Sequence, residues 1–468
     1  MRIRLDPPYR AAEIAVITQS SAPKRDVTVT HLTTDSREVK EGDLFVALRG
    51  ERADGNRYIS AALAAGASLI LCEERRTEDG CLTVRDCEAA LCALGRHARK
   101  QIAPTVIAIT GSAGKTTTKN MVAAVLATTF RTHKTQGNQN NLLGVCLTLL
   151  SMPSDTEMLV IEMGMNHEKE LEALSRLVEP DITVITNIGQ AHIGNLGSRT
   201  RIADAKCEIF CGCAPGAICL YPAEEPLIEA RVPSHIVKMR IGAGGQSDCR
   251  FSKPTMGSNT TVCDLVCHTV SYPGITLPGT GLHLAEDAAY AVAIGQTLGV
   301  VPARIRRALA TVQNDAMRQQ ILKRGGVTIL LDCYNASPES MQAACATLYR
   351  LAKEKHGRSL ALLGDMLELG SETRRLHEAV GAHFAAQKID HLFTLGAAAE
   401  GYAIGAARAG MPKERIFTNP CPTAYAASAA QIKKVLQTGD VLLIKASRAL
   451  HAENILPLLP IHTNGREA

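Results

Sequence analysis

The chain has 468 residues, of which 46% are hydrophobic and 21% charged, and its formal net charge is +5. At about 150 residues per domain, this length predicts roughly three globular domains. The composition excludes a disordered chain, a collagen-like chain and a small disulfide-stapled protein. So small a charge on so long a chain does not indicate a nucleic-acid partner or a membrane surface.

The N-terminal sequence MRIRLDPPYRAAEIAV lacks the apolar stretch and the small-residue cleavage site of a signal peptide. No apolar run approaches the roughly 18 residues needed to cross a bilayer. We therefore expect a cytoplasmic protein without membrane insertion, in which the 15 Cys are thiols. The densest group of Cys, at residues 207–219, lacks paired C-x-x-C spacing, which favours ordinary thiols over a metal site.

Residues 1–100 are predicted to form a small N-terminal α/β domain. The runs VTVTHL, DLFVAL and SLILCE have the apolar, β-branched character of short strands, and an Ala-rich helix is expected near Tyr58–Gly66. The charged segment HARKQIAP ends at Pro104 and indicates a domain boundary.

Residues 101–313 are predicted to form a central domain with a parallel sheet. The strand-like runs TVIAIT, EMLVIEMG and DITVITNI alternate with helical segments, which is typical of a sheet with helices on both faces. The Gly- and Pro-rich stretch Pro222–Pro278 is expected to add antiparallel strands, and Leu284–Leu298 a helix. A second alternating block, GVTILLDC, SLALLGD, HLFTLG and DVLLIKAS, predicts a Rossmann-like domain at 314–468. The expected fold class is therefore α/β in three domains.

The strand TVIAIT leads directly into a glycine-rich loop and then a helix, the context of a nucleotide-binding P-loop. Backbone N–H groups beside glycine and the helix N-terminus together form an anion site. We expect Lys115 to contact the β- and γ-phosphates of ATP and the Thr116 hydroxyl to ligate Mg²⁺. Ile109 stands where the general motif has its first glycine, so the match is to a shortened form; the alternative is a plain glycine-rich turn. The expected phosphate-binding residues are Gly111, Ser112, Ala113, Gly114, Lys115, Thr116 and Thr117.

Polar side chains follow the next two predicted strands. Glu162 lies at the end of MLVIEMG, where a carboxylate is well placed for a metal ion, the alternative being a helix N-cap or a surface acid. Asn187 and His192 follow DITVITNI and are expected in the same crevice. Lys206 lies in a helical stretch, and its sequence context alone assigns it no role.

Together these residues resemble the Mur ligase family, the ATP-dependent amino-acid ligases of peptidoglycan synthesis, over most of the chain. TGSAGKTTTKN resembles the family's shortened phosphate loop, and EMGMNHEKEL, TNIGQAHIGNLGS and IADAKCEI resemble its central-domain blocks. The resemblance implies that Lys206 is carbamylated. It also implies catalytic roles for Lys115, Glu162, His192 and Lys206, and two Mg²⁺ sites held by Thr116, Glu162, His192 and Lys206.

Within the family, three blocks resemble the member that adds D-alanyl-D-alanine: GNQNNLLGVCLTLL from Gly137, DCYNASPESM around Asp332, and LLGDMLELG from Leu362. TDSREVKEGDLFVALRGERADGN, from Thr34, resembles the family's uridine-nucleotide domain. The D-N-P-R motif of the family's preceding ligase, which adds the third residue of the peptide, is not found. The resemblance implies a monomer with small-molecule substrates. It would join D-alanyl-D-alanine to the C-terminal carboxylate of UDP-N-acetylmuramoyl-tripeptide, using ATP, through an acyl phosphate.

The resemblance further implies ligand contacts for each domain, although an ordinary polar loop stays open for the Asn-rich stretch. For Tyr334 and Asn335, the alternative that they only form a turn before the helix start at Ser337-Pro338 also remains open. The residues implied near the uridine diphosphate and the tripeptide are Asp35, Ser36, Arg37, Asn138, Asn140 and Asn141. Those implied near the nucleotide are Asn187, Asp287, Arg318 and Asp332. Those implied near the dipeptide are Tyr334, Asn335, Lys445 and Ser447.

The chain departs from the family pattern near the adenine. Leu284 and Asp287 stand where the G-x-H-N-x-x-N segment has its two Asn, and an ionised Asp287 can only accept hydrogen bonds. Met317 replaces the Gly before Arg318, and Ala446 replaces the Gly of K-G-S-R. We expect these changes to affect nucleotide affinity and fine specificity rather than the type of reaction.

Two alternatives stay open at this point. Another Mur-type ligase of the same fold would join a different amino acid, and a non-catalytic nucleotide-binding paralogue would account for the altered adenine segment. The joint presence of Lys115, Glu162, His192 and Lys206 favours an active ligase.

Overall fold

Three β-sheets organise residues 1–50, 53–252, 254–257, 259–313 and 315–459, which the computed structural model describes. One sheet lies in each predicted domain region, so the predicted α/β class is confirmed. Asn314, at the predicted boundary between the second and third domains, lies outside the described residues. Among the described helices, none combines the length and the apolar character needed to cross a bilayer.

The N-terminal unit consists of β1 (Arg2–Arg10), α1 (Ala11–Thr18), β2 (Thr28–Thr33), β3 (Leu44–Val46), α2 (Ile59–Ala64), β4 (Leu69–Cys72), β5 (Cys81–Thr83) and α3 (Cys87–Ile102). Its sheet has the order β1-β2-β3-β4-β5, with β1 and β2 antiparallel and the other pairs parallel. The predicted strands and the Ala-rich helix form β2, β3, β4 and α2. The strands β1 and β5 were not predicted.

Helix α3 joins the N-terminal and central units. Asp86 caps its N-terminus by accepting hydrogen bonds from the backbone N–H of Glu88 at 2.8 Å and of Ala89 at 3.0 Å. Near its C-terminus, Arg99 Nε donates to the carbonyl oxygen of Val178 at 2.8 Å. Buried residues of α3 such as Leu94 belong to the same hydrophobic core as the central helix residue Leu149. The charged segment HARKQI, predicted as a boundary, forms the last turns of this helix.

The central unit consists of β6 (Thr105–Thr110), α4 (Lys115–Leu126), β7 (Thr132–Lys134), α5 (Leu142–Leu150), β8 (Met158–Glu162), α6 (Glu170–Val178), β9 (Ile182–Ile185), α7 (Ile193–Leu196), α8 (Arg199–Cys207), β10 (Ile218–Pro222), α9 (Pro226–Glu229), β11 (Val237–Gly242), β12 (Cys249–Phe251), β13 (Thr255–Met256), β14 (Thr260–Cys267), β15 (Val270–Pro278), α10 (His283–Thr297) and α11 (Pro302–Thr311). The predicted strands form β6, β8 and β9, and the predicted Ala-rich helix forms α10.

The central sheet runs parallel in the order β12-β11-β10-β9-β6-β8-β7. Strand β14 pairs antiparallel with β12, β13 and β15. The antiparallel prediction for Pro222–Pro278 is therefore confirmed for β13–β15 and wrong for β11, which continues the parallel sheet. Strand β12 joins the two parts, because it pairs parallel with β11 and antiparallel with β14. Because β8, β6 and β9 are parallel neighbours, the segments that follow them meet at one edge of the sheet.

The C-terminal unit consists of β16 (Gln320–Arg324), β17 (Val327–Leu331), α12 (Pro338–Glu354), β18 (Ser359–Gly364), α13 (Thr373–Ala386), β19 (His391–Leu395), α14 (Glu400–Arg408), β20 (Ile416–Phe417), α15 (Tyr425–Val435) and β21 (Val441–Lys445). Its strand order is β16-β17-β21-β18-β19-β20, with β16 antiparallel and the other strands parallel. The four predicted strands form β17, β18, β19 and β21. Ser337 and Ser340 form a capping box, so α12 begins where the sequence predicted.

Candidate active site

A cavity of about 470 Å³ lies between the edge of the central sheet and the C-terminal unit. One wall is the glycine-rich loop, and the other comes from segments that follow β17 and β21. The sequence-predicted residues that line it are Ser112, Ala113, Gly114, Lys115, Thr116, Thr117, Asn138, Asn140, Glu162, Asn187, Asp287, Arg318, Asp332, Tyr334, Asn335 and Lys445. The cavity thus gathers predicted residues that are more than 300 positions apart in the chain.

The glycine-rich loop has the tight backbone that a phosphate site requires. Gly111 has φ +146°, and a Cβ built on it would lie 1.8 Å from Thr186 Oγ1, so only glycine fits there. Gly114 has φ +82° and directly precedes α4. Lys115 Nζ donates to the carbonyl oxygen of Gly111 at 2.7 Å, so the lysine side chain folds back onto the loop.

Asn187, predicted near the nucleotide, holds the shape of this loop. Its Oδ1 accepts hydrogen bonds from the backbone N–H of Ser112 at 3.1 Å and of Ala113 at 3.0 Å. Two residues further on, the backbone N–H of Gly189 donates to Ser112 Oγ at 2.9 Å. The segment after β9 therefore sets the orientation of the loop amides.

Glu162 ends β8 and is only 2% exposed, which excludes the alternative of a surface acid. Asn140 Nδ2 donates to Glu162 Oε1 at 2.9 Å, while Glu162 Oε2 has no hydrogen-bond partner among the described residues. Lys119 Nζ lies 3.5 Å from Oε2 and donates to the carbonyl oxygen of Gly137 at 3.2 Å. The prediction missed Lys119, although its position four residues after Lys115 places both lysines on one face of a helix.

Lys206, on α8, is 2% exposed and does not line the cavity. None of the hydrogen bonds or ion pairs found among the described residues involves its Nζ. Burial, and then the charge of Lys115, lower the pKa of Lys206 well below its usual value. Burial also lowers the pKa of Lys115, although the charge of Glu162 opposes this effect. Burial therefore favours the neutral form of the Lys206 amine, and the charge of the loop lysine acts in the same direction.

Asp287, on α10, lies directly below the loop. Thr118 Oγ1 donates to Asp287 Oδ1 at 2.8 Å, and Oδ2 is buried without a hydrogen-bond partner among the described residues. Burial raises the pKa of Asp287 well above its usual value, and the hydrogen bond from Thr118 only partly opposes this. Burial therefore favours the neutral carboxylic acid, which can donate as well as accept hydrogen bonds, whereas the ionised form considered from the sequence can only accept.

Arg318 connects the C-terminal unit to the loop. Its Nη2 donates to Thr116 Oγ1 at 2.8 Å, across 202 positions of sequence. The guanidinium carbon lies 3.8 Å from the centre of the Tyr334 ring, a cation–π contact. Arg318 thus reaches the hydroxyl of Thr116 from the far wall of the cavity, and the Tyr334 ring lies against its guanidinium.

Asp332, directly after β17, forms a buried ion pair with Lys445 at the end of β21. Lys445 Nζ donates to Asp332 Oδ2 at 2.7 Å and to the carbonyl oxygen of Asn335 at 3.0 Å. Asn335 Oδ1 accepts the backbone N–H of Ala336 at 2.8 Å, as a turn residue would. Ser447 Oγ accepts the backbone N–H of Leu367 at 3.0 Å, and Ser447 does not line the cavity.

The remaining predicted residues lie outside the cavity wall. His192 Nδ1 lies 2.6 Å from Glu368 Oε2, and Asn141 Oδ1 caps α5 by accepting the backbone N–H of Gly144 at 3.0 Å. In the N-terminal unit, Asp35 Oδ1 accepts the backbone N–H of Arg37 at 3.0 Å and so caps the 3₁₀ turn Ser36–Glu38. Within the described part of the chain, no three His, Cys, Asp or Glu side chains gather to hold a metal ion.

A P-loop at the edge of a parallel sheet, facing a second α/β unit across a polar cavity, defines a nucleotide-binding enzyme of the P-loop class. Family descriptions match most of the chain: "Mur ligase family, catalytic domain" at residues 28–124, "Mur ligase middle domain" at 109–295, and "Mur ligase, glutamate ligase domain" at 317–448. The chain belongs to the Mur ligase family.

Curated relatives match the chain over most of its length. The UDP-N-acetylmuramoyl-tripeptide–D-alanyl-D-alanine ligase of Bacillus subtilis is 36% identical, covering 93% of this chain and 94% of the relative. The protein of the same name from Escherichia coli is 32% identical, covering 79% of this chain and 82% of the relative.

Solved structures have the same architecture. A crystal structure of MurF from Acinetobacter baumannii aligns with a TM-score of 0.88 at 30% identity, covering 97% of this chain and 99% of that one. MurF ligase from Thermotoga maritima, in complex with ADP, aligns with a TM-score of 0.80 at 28% identity, covering 91% of this chain and 96% of that one. A folylpolyglutamate synthase from Mycobacterium tuberculosis, at 16% identity and a TM-score of 0.60 over 81% of this chain and 95% of that one, shares the fold alone.

Proposed function

We propose that the chain is the ligase that uses ATP to join D-alanyl-D-alanine to the C-terminal carboxylate of UDP-N-acetylmuramoyl-tripeptide in peptidoglycan precursor synthesis. One observation carries the proposal: a P-loop lysine, a buried strand-end carboxylate and a second, buried lysine, whose pKa burial lowers, occupy one edge of the central sheet. The family membership and the shared name of the relatives support it. We further propose that residues 1–100 bind the uridine nucleotide, 101–313 bind ATP and 314–468 bind the dipeptide.

In the proposed reaction, the tripeptide carboxylate oxygen attacks the γ-phosphorus of ATP, ADP leaves, and an acyl phosphate forms. The dipeptide amine then attacks the acyl carbon, loses a proton, and inorganic phosphate leaves. The chain contributes mainly positioning and charge neutralisation. We propose that Lys115 gives up its hydrogen bond to the Gly111 carbonyl and contacts the phosphates when ATP binds. The loop amides and the N-terminus of α4 hold the nucleotide.

Mg²⁺ prefers oxygen ligands and commonly takes several of them from substrate phosphates and water. The residues present fit such an ion, because Glu162 Oε2 is buried without a hydrogen-bond partner in the described residues and Thr116 Oγ1 lies at the start of α4. When bound, Mg²⁺ would neutralise phosphate charge. We propose that Thr116, Glu162, His192 and a carbamylated Lys206 hold two ions, with Nε2 of His192 as its ligand atom.

We propose that Lys206 is carbamylated. The unprotonated amine attacks CO₂, which forms an N–C bond and releases one proton, and leaves an anionic carboxylate on the side chain. Its lowered pKa, its burial and the absence of an acidic partner for it among the described residues support this step, because only the neutral amine is nucleophilic. The new negative charge would balance Lys115 and supply oxygen ligands.

The Arg318 contact with Thr116 supports a site completed when the C-terminal unit closes. We propose that this closure excludes water, which would otherwise hydrolyse the acyl phosphate. The monomeric state and the cytoplasmic location stay predictions.

The decisive experiment measures phosphate release with ATP, UDP-N-acetylmuramoyl-tripeptide and D-alanyl-D-alanine, each omitted in turn. We expect turnover only with all three present. Turnover with a free amino acid and none with D-alanyl-D-alanine would assign the chain to another ligase of this family. Nucleotide binding without phosphate release under any of these conditions would favour the non-catalytic alternative.

A further inference from the structure

The segment 186–196, which follows β9, lies between the phosphate loop and the C-terminal unit. We name it the bridging segment. On one side it holds the loop, because Asn187 Oδ1 accepts the amides of Ser112 and Ala113, and the amide of Gly189 donates to Ser112 Oγ. A displacement of this segment would therefore alter the orientation of the loop's phosphate-binding amides.

On its other side, two carboxylates of the C-terminal unit contact the bridging segment. The backbone N–H of Gln190 donates to Glu339 Oε1 at 2.7 Å, at the N-terminal turn of α12. His192 Nδ1 lies 2.6 Å from Glu368 Oε2, and this pairing is the main cause that lowers the pKa of the Glu368 carboxyl. The backbone N–H of Gly194 also donates to the carbonyl oxygen of Glu368 at 3.1 Å.

The contact is close and is made by strained backbone. A Cβ built on Gly189 would lie 2.8 Å from the Glu339 carboxyl carbon, and one on Gly194 would lie 2.4 Å from the Gly370 nitrogen. His192 and Glu368 both have φ +65°, the left-handed region that side chains other than glycine rarely adopt. Such conformations persist where the surrounding contacts hold them in place, and here each residue contacts the other.

We propose that Glu339 and Glu368 are positioning residues that clasp the bridging segment, and that they thereby couple closure of the C-terminal unit to His192 and to the phosphate-loop amides. Withdrawal of the C-terminal unit would release the Gln190 amide and the His192 ring together. The role of both residues is assigned from their contacts with the segment, and Glu339 also lines the cavity. The kinetic part of the proposal rests on the proposed ligase function.

The variants that test the clasp are Glu339→Ala, Glu368→Ala and their combination, beside Glu339→Gln and Glu368→Gln, which keep an acceptor oxygen. Matched controls are Glu354→Ala, on the same helix as Glu339 and paired with Arg350, and Glu372→Ala, four residues after Glu368 and paired with Arg375. Neither control residue contacts the bridging segment among the described hydrogen bonds and ion pairs.

The first measurement is hydrogen–deuterium exchange of residues 186–196 in the full-length protein, without ligands and with a non-hydrolysable ATP analogue. We expect faster exchange in the Ala variants, with rates near wild type in the Gln variants and the controls. The second measurement separates kcat from KM. We expect kcat of the double Ala variant to fall about 10–100-fold, as for other residues that orient a catalytic side chain, with an unchanged KM for the uridine nucleotide substrate.

Unchanged exchange and unchanged kcat in the double Ala variant would overturn the proposal, as would equal losses in the Ala, Gln and control variants. The exchange measurement does not depend on the chemistry of the reaction. If the wild-type protein shows no phosphate release that depends on D-alanyl-D-alanine, the proposed function fails, and exchange still decides whether the clasp exists.

Discussion

Two strand-end carboxylates face the same cavity and differ in how completely they are bonded. Glu162 of the central sheet lies 3.5 Å from the buried Lys119, and one of its oxygens has no hydrogen-bond partner in the described structure. Asp332 of the C-terminal sheet accepts a 2.7 Å bond from Lys445, and its other oxygen accepts the backbone N–H of Gln319 at 3.3 Å. Both acids are buried.

This difference in bonding indicates different roles for the two acids: Glu162 can still bind a ligand, whereas Asp332 supports the wall of the cavity. A buried polar atom without a partner costs free energy, and a ligand that completes its bonding recovers that cost. The central edge therefore offers unused bonding capacity at Glu162, Lys206 and Asp287, as a site for charged ligands should. At the C-terminal edge, Asp332 and Lys445 use their charges on each other, so this pair holds the wall of the cavity in shape.

The largest expected effect concerns the Asp332–Lys445 ion pair of the C-terminal edge. Lys445→Met leaves Asp332 buried without its partner, so the free energy of unfolding should fall by about 3–5 kcal/mol. Urea denaturation monitored by circular dichroism measures this loss. The double variant Asp332→Leu/Lys445→Met should recover most of it, because no buried charge is left. An unchanged denaturation midpoint in Lys445→Met would show that this pair does not support the wall.

The second effect concerns Glu286 on α10, which lines the cavity from the central unit. Burial and, less strongly, Glu224 raise the pKa of Glu286 to about 7. The folded protein therefore holds this proton more tightly than the unfolded chain does. The resulting stability is present below the usual pKa of Glu, about 4.3, and is lost as the pH rises toward 7.

Wild-type protein should lose about 3 kcal/mol between pH 4.5 and 7 through this group. In Glu286→Gln that part of the pH dependence should vanish, as measured by denaturation at several pH values. The exposed Glu354→Gln, on α12, is the matched control and should keep the wild-type profile. Parallel profiles for wild type and Glu286→Gln would argue against a shifted carboxyl.

The third effect tests whether the central edge needs Lys206. Lys206→Ala should lower kcat by about 100-fold, comparable to the removal of one charge-stabilising group from an active site. Lys206→Arg, which stays charged and cannot form a carbamate, should be equally impaired. Added small carboxylic acids should partly restore turnover in Lys206→Ala, because they can supply the missing oxygens. Normal turnover in either variant would remove the carbamate from the mechanism.

The smallest effect concerns the link between the two edges. Tyr334→Leu removes the ring below Arg318 and should weaken ATP binding by about 1 kcal/mol, the usual size of a cation–π contact. Tyr334→Phe keeps the ring and is the matched control. Calorimetric titration with a non-hydrolysable ATP analogue measures both, and equal affinities in the two variants would show that the ring does not position Arg318.

Local features of the sequence predicted the three-part α/β fold and its phosphate loop. The run from TVIAIT to the lysine-bearing helix combines a buried strand, two glycines with positive φ and a helix start, all within about a dozen neighbouring residues. Four of the six strands of the C-terminal unit, β17, β18, β19 and β21, were equally predictable, because continuous apolar runs mark strands that are buried on both faces. The strands β16 and β20 were not predicted. Strand β1, with four charged residues among nine, carries no such pattern and was missed.

The functional pairings were not accessible in the same way. Lys119 with Glu162, Glu339 with Gln190 and Glu368 with His192 join residues that are far apart in the chain, and no local pattern marks one partner for the other. The resemblance pointed to His192 and Lys206 but not to the side chains that surround them. The role of Asp287 also depended on burial, which one aspartate in a helical stretch does not reveal.

The residue order thus determined which segments become strands, where the phosphate loop lies and to which family the chain belongs, because these properties depend on neighbouring residues. Only the tertiary structure decided which ionisable side chains have a partner of opposite charge. Packing brings Lys445 to Asp332, and it buries Lys206 with no acidic partner among the described residues. Lysine therefore serves as an ion-pair partner at one edge of the cavity, in Lys445. Near the other edge, burial and the charge of Lys115 lower the pKa of Lys206 and so favour its neutral form.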